Sequence, residues 1–143
     1  MFIGEYSHSI DEKGRMNMPV KFRRDLSGGV VVTRGLDRCL FVYPKSQWEE
    51  LAEKLSRLPI TQKSSRAFAR LMLAGAMEAD MDAQGRMMIP EYLRTYAGVK
   101  KHVVVTGLFN RIEIWDEDAW GEYRTKTEEA SGEIAESMSS LGI

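Results

Sequence analysis

The sequence predicts a mixed α+β fold in which two copies of one small unit interlock into a single barrel with short flanking helices. Three observations lead there. The stretch Asp11-Glu12-Lys13-Gly14-Arg15-Met16-Asn17-Met18-Pro19 returns as Asp82-Ala83-Gln84-Gly85-Arg86-Met87-Met88-Ile89-Pro90, 71 residues later and with Asp, Gly, Arg, Met and Pro in the same order. A repeat at half the chain length outranks any local reading. In both halves, short runs of β-branched and aromatic residues alternate with charged turns. Each half is about 70 residues, near the size at which one core is marginal, so the two halves are expected to share a core.

The correspondence extends well beyond the doubled loop. Gly4 falls on Gly75, Ile10 on Met81, Phe22 on Leu93 and Arg23 on Arg94. The second copy then gains one residue, after which Arg34-Gly35-Leu36 meets Thr106-Gly107-Leu108. Leu40, Val42, Tyr43 and Trp48 meet Ile112, Ile114, Trp115 and Trp120. The expected repeats are 1–71 and 72–143.

Within the first repeat, Phe2 to Ile10 alternates apolar residues with Glu5, Ser7 and Ser9, the pattern of a half-buried strand. Asp11 to Gly14 is a turn: the aspartate accepts from backbone amides just ahead of it, and Gly14 takes positive φ without steric cost. Arg15 to Met18 resumes a strand. Pro19 suits the first turn of a helix, and Phe22 and Leu26 share one face of the short helix that follows, up to Ser27-Gly28-Gly29. Val30 to Thr33 and Cys39 to Tyr43 make a hairpin. A helix from Pro44 to about Leu58 places Trp48, Leu51, Leu55 and Leu58 at helical spacing, and Pro59 ends it. Another helix spans about Gln62 to Ala74, with Phe68, Leu71 and Met72 on its apolar face.

The second repeat replays this plan. Strands are expected over Leu73 to Met81 and Met87 to Ile89 around the Asp82–Arg86 turn. A helix over Pro90 to Tyr96 is stopped by Gly98. A hairpin follows from His102–Thr106 and Arg111–Trp115, then a helix capped by Asp116 that contains Trp120 and Tyr123. Thr125 to Ile143 is polar and is expected to be a weak helix or frayed.

Composition bounds the function. The 143 residues are 43% hydrophobic and 29% charged, enough for one compact domain. No apolar run approaches the roughly 20 residues a membrane helix needs, and the N-terminus has no signal-peptide pattern. A single cysteine, Cys39, rules out an internal disulfide, and two distant histidines offer no metal-ligand spacing. The expectation is a cytoplasmic protein with no cofactor, no metal and no catalytic residues. Net charge is only −1, but residues 1–71 carry 13 Lys/Arg against 8 Asp/Glu, and residues 72–143 carry 7 against 13. That asymmetry suggests one basic working face and an acidic remainder.

The N-terminal Met-Phe-x-Gly and Asp11-x-Lys13-Gly14-Arg15-x-x-x-Pro19-x-x-Phe22-Arg23 resemble the MraZ family of bacterial transcriptional regulators. So do Asp82-x-x-Gly85-Arg86-x-x-Ile89-Pro90 and the Gly107…Ile114-Trp115-Asp116 run. The family is built from two AbrB-like (SpoVT/AbrB) repeats, and the resemblance covers essentially all of the chain but its last stretch. It implies a pseudo-two-fold swapped-hairpin β-barrel, each repeat standing for one AbrB-type protomer, and assembly into closed homo-oligomeric rings. It also implies binding, mainly as a repressor at the nucleoid, to tandem short repeats in double-stranded DNA. Those repeats lie upstream of the division and cell-wall gene cluster that contains the regulator's own gene.

Under that resemblance Arg15 and Arg86 fall on the DNA-contacting motif, and Asp11 and Asp82 on its acidic partner position. The second loop has Ala83-Gln84 where the first has Glu12-Lys13, and so lacks one cation. The chemistry fits: a guanidinium on a tight turn presents a fork that matches phosphate oxygens or the O6/N7 edge of guanine. Gly14 lets the backbone approach a phosphate, and Lys13, Lys21, Arg23 and Arg24 add charge near Arg15. Asp11, Asp82 and Gly85 are read as ordering their loops. Arg23 and Arg94 have a second reading as helix-surface ion-pair residues. Trp48, Trp115 and Trp120 are read as core or subunit interface, and the methionines beside the loops as adaptable packing.

Two other classes compete. An enzyme would need Asp11 and Asp82 as a carboxylate pair, yet no base–nucleophile arrangement accompanies them and each has an arginine four residues on. A module that masks a protein partner, as an antidote does, would need a long C-terminal arm with alternating apolar anchors.

Overall fold

The structure, a computed structural model, describes residues 1–143. The first repeat forms β1 (Phe2–Ser9), β2 (Arg15–Asn17), α1 (Val20–Arg23) with a 3-10 turn, β3 (Val30–Arg34), β4 (Leu40–Pro44), α2 (Lys45–Ser56) and α3 (Lys63–Ala69). The second forms β5 (Met77–Ala79), β6 (Arg86–Met88), α4 (Glu91–Ala97), β7 (His102–Phe109), β8 (Ile112–Asp116), α5 (Glu117–Glu129) and α6 (Ser131–Ser137). The fold is mixed α+β with a duplicated plan. No helix is long and apolar enough to cross a membrane.

The repeats are interlocked strand by strand. A six-stranded antiparallel sheet has the order β1-β7-β8-β4-β3-β5, and β2 pairs only with β6 in a separate ribbon. The sheet order is a palindrome under exchange of repeats. The first strand of each repeat pairs with the hairpin of the other, β1 with β7 and β5 with β3. Two pairs are their own counterparts, Phe41 with Glu113 in β4–β8 and Met16 with Met87 in β2–β6, so the pseudo-two-fold passes through both. The sheet's ladder is open, with β1 and β5 at its edges, and the ribbon closes over the same core.

That core draws on both repeats because neither buries enough apolar surface alone. Phe2, Ile10, Met16, Met18, Phe22, Leu26, Val30, Val32, Leu40 and Val42 pack with Met87, Ile89, Leu93, Ala97, Val103, Val105, Ile112 and Ile114. Phe22 is gripped edge-on by Phe2 and Tyr6, with ring centroids at 5.2 and 5.3 Å, a favoured aromatic geometry. A smaller cluster on the sheet's other face joins Cys39, Phe41, Tyr43, Leu55, Met72 and Trp115, with Trp48 and Trp120 packed against it. The tryptophans therefore serve packing, and burial raises the Cys39 pKa, which keeps that thiol protonated.

One local expectation is corrected. The strand expected over Leu73 to Met81 is confined to Met77–Ala79. Arg70–Ala74 stays helical as a π turn, held on the sheet where the Thr33 hydroxyl donates to the Met72 carbonyl at 2.6 Å. Of the two readings of the C-terminal stretch, weak helix or frayed, the helical one holds, first in α5 and then in α6. The Asp116 carboxylate accepts from Ala119 N at 3.2 Å and caps α5, and Gly98 ends α4 at φ 63°.

Candidate nucleic-acid interface

The two loops have one construction. In the first, Asp11 Oδ1 accepts from the amides of Lys13 and Arg15, both at 2.9 Å, and Oδ2 accepts from Arg15 Nε at 2.8 Å. In the second, Asp82 Oδ1 accepts from Gln84 and Arg86 at 2.9 and 3.0 Å, and Oδ2 from Arg86 Nε at 3.0 Å. Gly14 and Gly85 turn the chain at φ 83° and 77°, where a side chain is strained. Each aspartate thus orders its loop and aims its arginine through Nε alone. The terminal guanidinium nitrogens of both arginines have no partner within the protein.

Alternation along the ribbon decides what the loops display. Met16 and Met87 point inward and are fully buried. Arg15, Asn17, Arg86 and Met88 occupy the opposite face, with Arg15 paired to Met88 and Asn17 to Arg86. Arg15 and Arg86 are therefore diagonal neighbours, roughly 7–8 Å apart at their α-carbons. The loops are locked together by Ile89 N donating to Gly14 O at 2.8 Å and Met18 N to Gly85 O at 2.9 Å.

Two further arginines complete the arrangement, and they cross between repeats. Arg23 donates from Nε to Met18 O, and Arg94 from Nε to Ile89 O, each at 2.9 Å. A Cβ placed on Gly85 would meet the Arg23 guanidinium carbon at 2.4 Å, and one on Gly14 the Arg94 guanidinium carbon at 3.2 Å. The guanidinium from each repeat's helix lies over the glycine of the other repeat's loop. Neither arginine has a carboxylate partner, which corrects the ion-pair reading. The charge of Arg23, after burial, also lowers the pKa of nearby His8 from 6.5.

The crossing changes the balance between the loops. The first loop has Lys13 and Arg15 joined by Arg94. The second has Arg86 joined by Arg23, which Lys21 and Arg24 flank in sequence. Lys13, Lys21 and Arg24 are exposed and free of ion pairs. Each loop thus borrows one arginine from the opposite repeat, and Lys13 remains a cation that Ala83-Gln84 does not match.

Both aspartates are held below the ordinary carboxylate value of 3.8. The leading cause is the backbone hydrogen bond from Arg15 to Asp11 and from Arg86 to Asp82. A depressed carboxylate stabilises the fold above its unfolded pKa, and that contribution is lost as pH falls through the folded value. The amide resonances of Lys13, Arg15, Gln84 and Arg86 are accordingly expected to titrate with midpoints below 3.8 in an NMR pH series. A midpoint at or above that value in either loop would contradict the hydrogen bonding described.

The family model described as "MraZ protein, putative antitoxin-like" matches residues 1–71 and again residues 72–140. This chain belongs to the MraZ family. Proteins named Transcriptional regulator MraZ are similar to it over the full length of both chains, at 52% identity in Halothermothrix orenii, 48% in Alkaliphilus metalliredigens and 50% in Pediococcus pentosaceus. In this MraZ chain the doubled loops flank a single two-stranded ribbon, which the matched repeats build jointly. Sequence reasoning named Arg23 and left Arg94 off the site, because the contact of each with a loop crosses between repeats. Asn17 was also passed over and Met88 was read as packing, although the strict alternation of Arg15-Met16-Asn17 and Arg86-Met87-Met88 was enough to place both on the exposed face.

Proposed function

We propose that this chain is a sequence-specific DNA-binding transcriptional regulator, acting mainly as a repressor. It binds tandem short repeats upstream of the division and cell-wall cluster that holds its own gene, and works as a closed ring of copies at the nucleoid. The observation that carries the reading is the convergence of Arg15, Arg86, Arg23 and Arg94 on one two-stranded ribbon, none of the four with its terminal nitrogens satisfied inside the protein. A two-stranded ribbon fits the major groove of B-DNA, and arginine forks match guanine edges or phosphates there. Asp11 and Asp82, the carboxylates an enzyme would need, are each occupied by their own arginine.

The ribbon is also unequal across its pseudo-two-fold. Asn17 stands opposite in role to Met88, one offering a hydrogen-bonding amide and the other a thioether that is 55% exposed. A face with different chemistry in its two halves gives its DNA site a direction, which suits direct tandem repeats better than a palindrome. Occupied sites upstream of a gene obstruct transcription by exclusion, which is the repressor's mechanism.

The crossing arginines supply a discriminating test. Arg23→Gln and Arg94→Gln remove one charged contact each and are expected to weaken binding to a single site by about 10- to 100-fold, the range of a charge-assisted hydrogen bond. Fluorescence anisotropy at matched salt reads both. Wild-type affinity in both variants would remove the crossing pair from the interface.

A further inference from the structure

The second repeat carries an unfilled socket. A groove of about 450 Å³ opens over the outer face of the sheet, bounded by Glu5, Thr106, Leu108, Glu113, Trp120 and Tyr123. Its floor is the row Glu5–Thr106–Glu113, paired across β1, β7 and β8. The Thr106 hydroxyl is buried and has no hydrogen-bond partner, an arrangement that native interiors rarely leave uncovered. Strand register corrects the sequence alignment, which set Arg34 against Thr106: Thr33 takes the matching place in the first repeat, pairing with Phe41 as Thr106 pairs with Glu113, and Phe41 and Glu113 meet on the axis. There the Met72 carbonyl closes over the hydroxyl at 2.6 Å.

The difference follows from chain connectivity. In the first repeat, six residues from Arg57 to Gln62 separate α2 from α3 and let the chain turn back over its sheet. In the second, only Ala130 separates α5 from α6, too little to reverse the chain, and nothing returns over Thr106. The same connectivity gives the first repeat a projection that the second lacks. The α2–α3 turn presents Pro59 and Ile60, with Ile60 79% exposed, and Arg66 Nη1 holds its shape by donating to Ile60 O at 2.9 Å.

The helices beside the projection and the socket are complementary in charge, whereas the groove's own Glu5 and Glu113 are paired with Arg124 and Arg111. Residues 54–77 carry five cations, Lys54, Arg57, Lys63, Arg66 and Arg70, and no Asp or Glu. Residues 112–136 carry nine Asp/Glu against Arg124 and Lys126. The imbalance between the halves of the chain therefore resides mostly in these helical segments, away from the loop arginines.

We propose that the α2–α3 turn of one copy inserts into the groove over Thr106 of the next copy, Ile60 packing on Leu108, Trp120 and Tyr123 and a backbone carbonyl of the turn accepting from the Thr106 hydroxyl, with Lys63 and Arg66 against the acidic α5 side. This rests on the ring assembly included in the proposed function and assigns its interface. Because the projection belongs to the first repeat and the socket to the second, the contact is head-to-tail. A contact of that kind continues from copy to copy until rotation closes it.

The test uses two variants at exposed positions and native mass spectrometry, with circular dichroism to verify that each is folded. Wild type is expected as a multimer. Ile60→Asp, which spoils the projection, and Leu108→Lys, which spoils the socket, are each expected to run as single chains of 16.3 kDa. Mixed in equal amounts, they retain one good projection and one good socket between them, so a 1:1 complex that grows no further is expected. Wild type at the single-chain mass would overturn the assembly and this interface together. A multimer that survives Ile60→Asp, or a mixture that stays at the single-chain mass, would overturn the interface alone.

Discussion

Replacing Arg15 with alanine is expected to weaken binding to a duplex carrying three tandem sites by more than about a thousandfold. A charge-assisted hydrogen bond contributes about 1.5–3 kcal/mol, or roughly 10- to 100-fold in affinity for one loop on one site. Linked copies bound to tandem sites multiply that loss. Removal of the guanidinium also leaves the Asp11 carboxylate facing phosphates with its nearest cation gone. The fold is expected to tolerate the change, because the Asp11–Arg15 pair is partly exposed and surface ion pairs contribute little to stability. Salt dependence distinguishes the contact from a general loss of binding: each phosphate contact removed lowers the slope of log affinity against log salt by about 0.9. Arg86→Ala is expected to act comparably, since the second loop has the same geometry and its own borrowed cation.

Gly14→Ala is expected to lower stability by about 2–4 kcal/mol, combining left-handed strain of roughly 1–2 kcal/mol with damage to the bond that locks the loops. The added Cβ would lie 2.8 Å from the Ile89 carbonyl oxygen, a backbone atom that cannot move aside without disturbing the Ile89 N to Gly14 O bond. Gly85→Ala is expected to lose stability comparably, since Gly85 has the same left-handed φ and its carbonyl accepts the matching bond from Met18 N. Its Cβ also meets the Arg23 guanidinium, so DNA binding suffers in addition from the displaced cation. Denaturant melts and anisotropy read the two effects. Wild-type stability in either variant would contradict the stated role of the interlocked glycines.

What was legible in the residues was mostly what short-range chemistry controls. The Asp-x-x-x-Arg loop, the glycine at positive φ, the Asp116 cap and the Gly98 stop each depend on neighbours within a few positions. The duplication was visible because both copies kept these residues at a fixed spacing. The partnering was less legible. That β1 pairs with β7 and β5 with β3 is a choice between equivalent hairpins, made by the shared core and not by any local signal. Arg23 and Arg94 were ambiguous for the same reason, since a cation on a helix surface looks alike whether it faces an acid or a loop glycine of the other repeat. The charge imbalance between the halves was correctly counted but assigned to one basic working face. The fold places most of it on α2–α3 and on α5–α6. The C-terminal stretch looked weak on polarity alone, yet Asp116 capping and the packing of Trp120 and Tyr123 on Trp115 anchor the helix at its start.

The most direct measurement is fluorescence anisotropy with a labelled duplex taken from immediately upstream of the gene for this chain. Wild type, Arg15→Ala and Arg86→Ala would be titrated at several salt concentrations. The expected result is tight, salt-sensitive binding by wild type and a severe loss in both variants, with the fold intact. Absence of binding by folded wild type at low salt, or undiminished binding by both variants, would contradict the assignment of the doubled loop as a DNA-reading face.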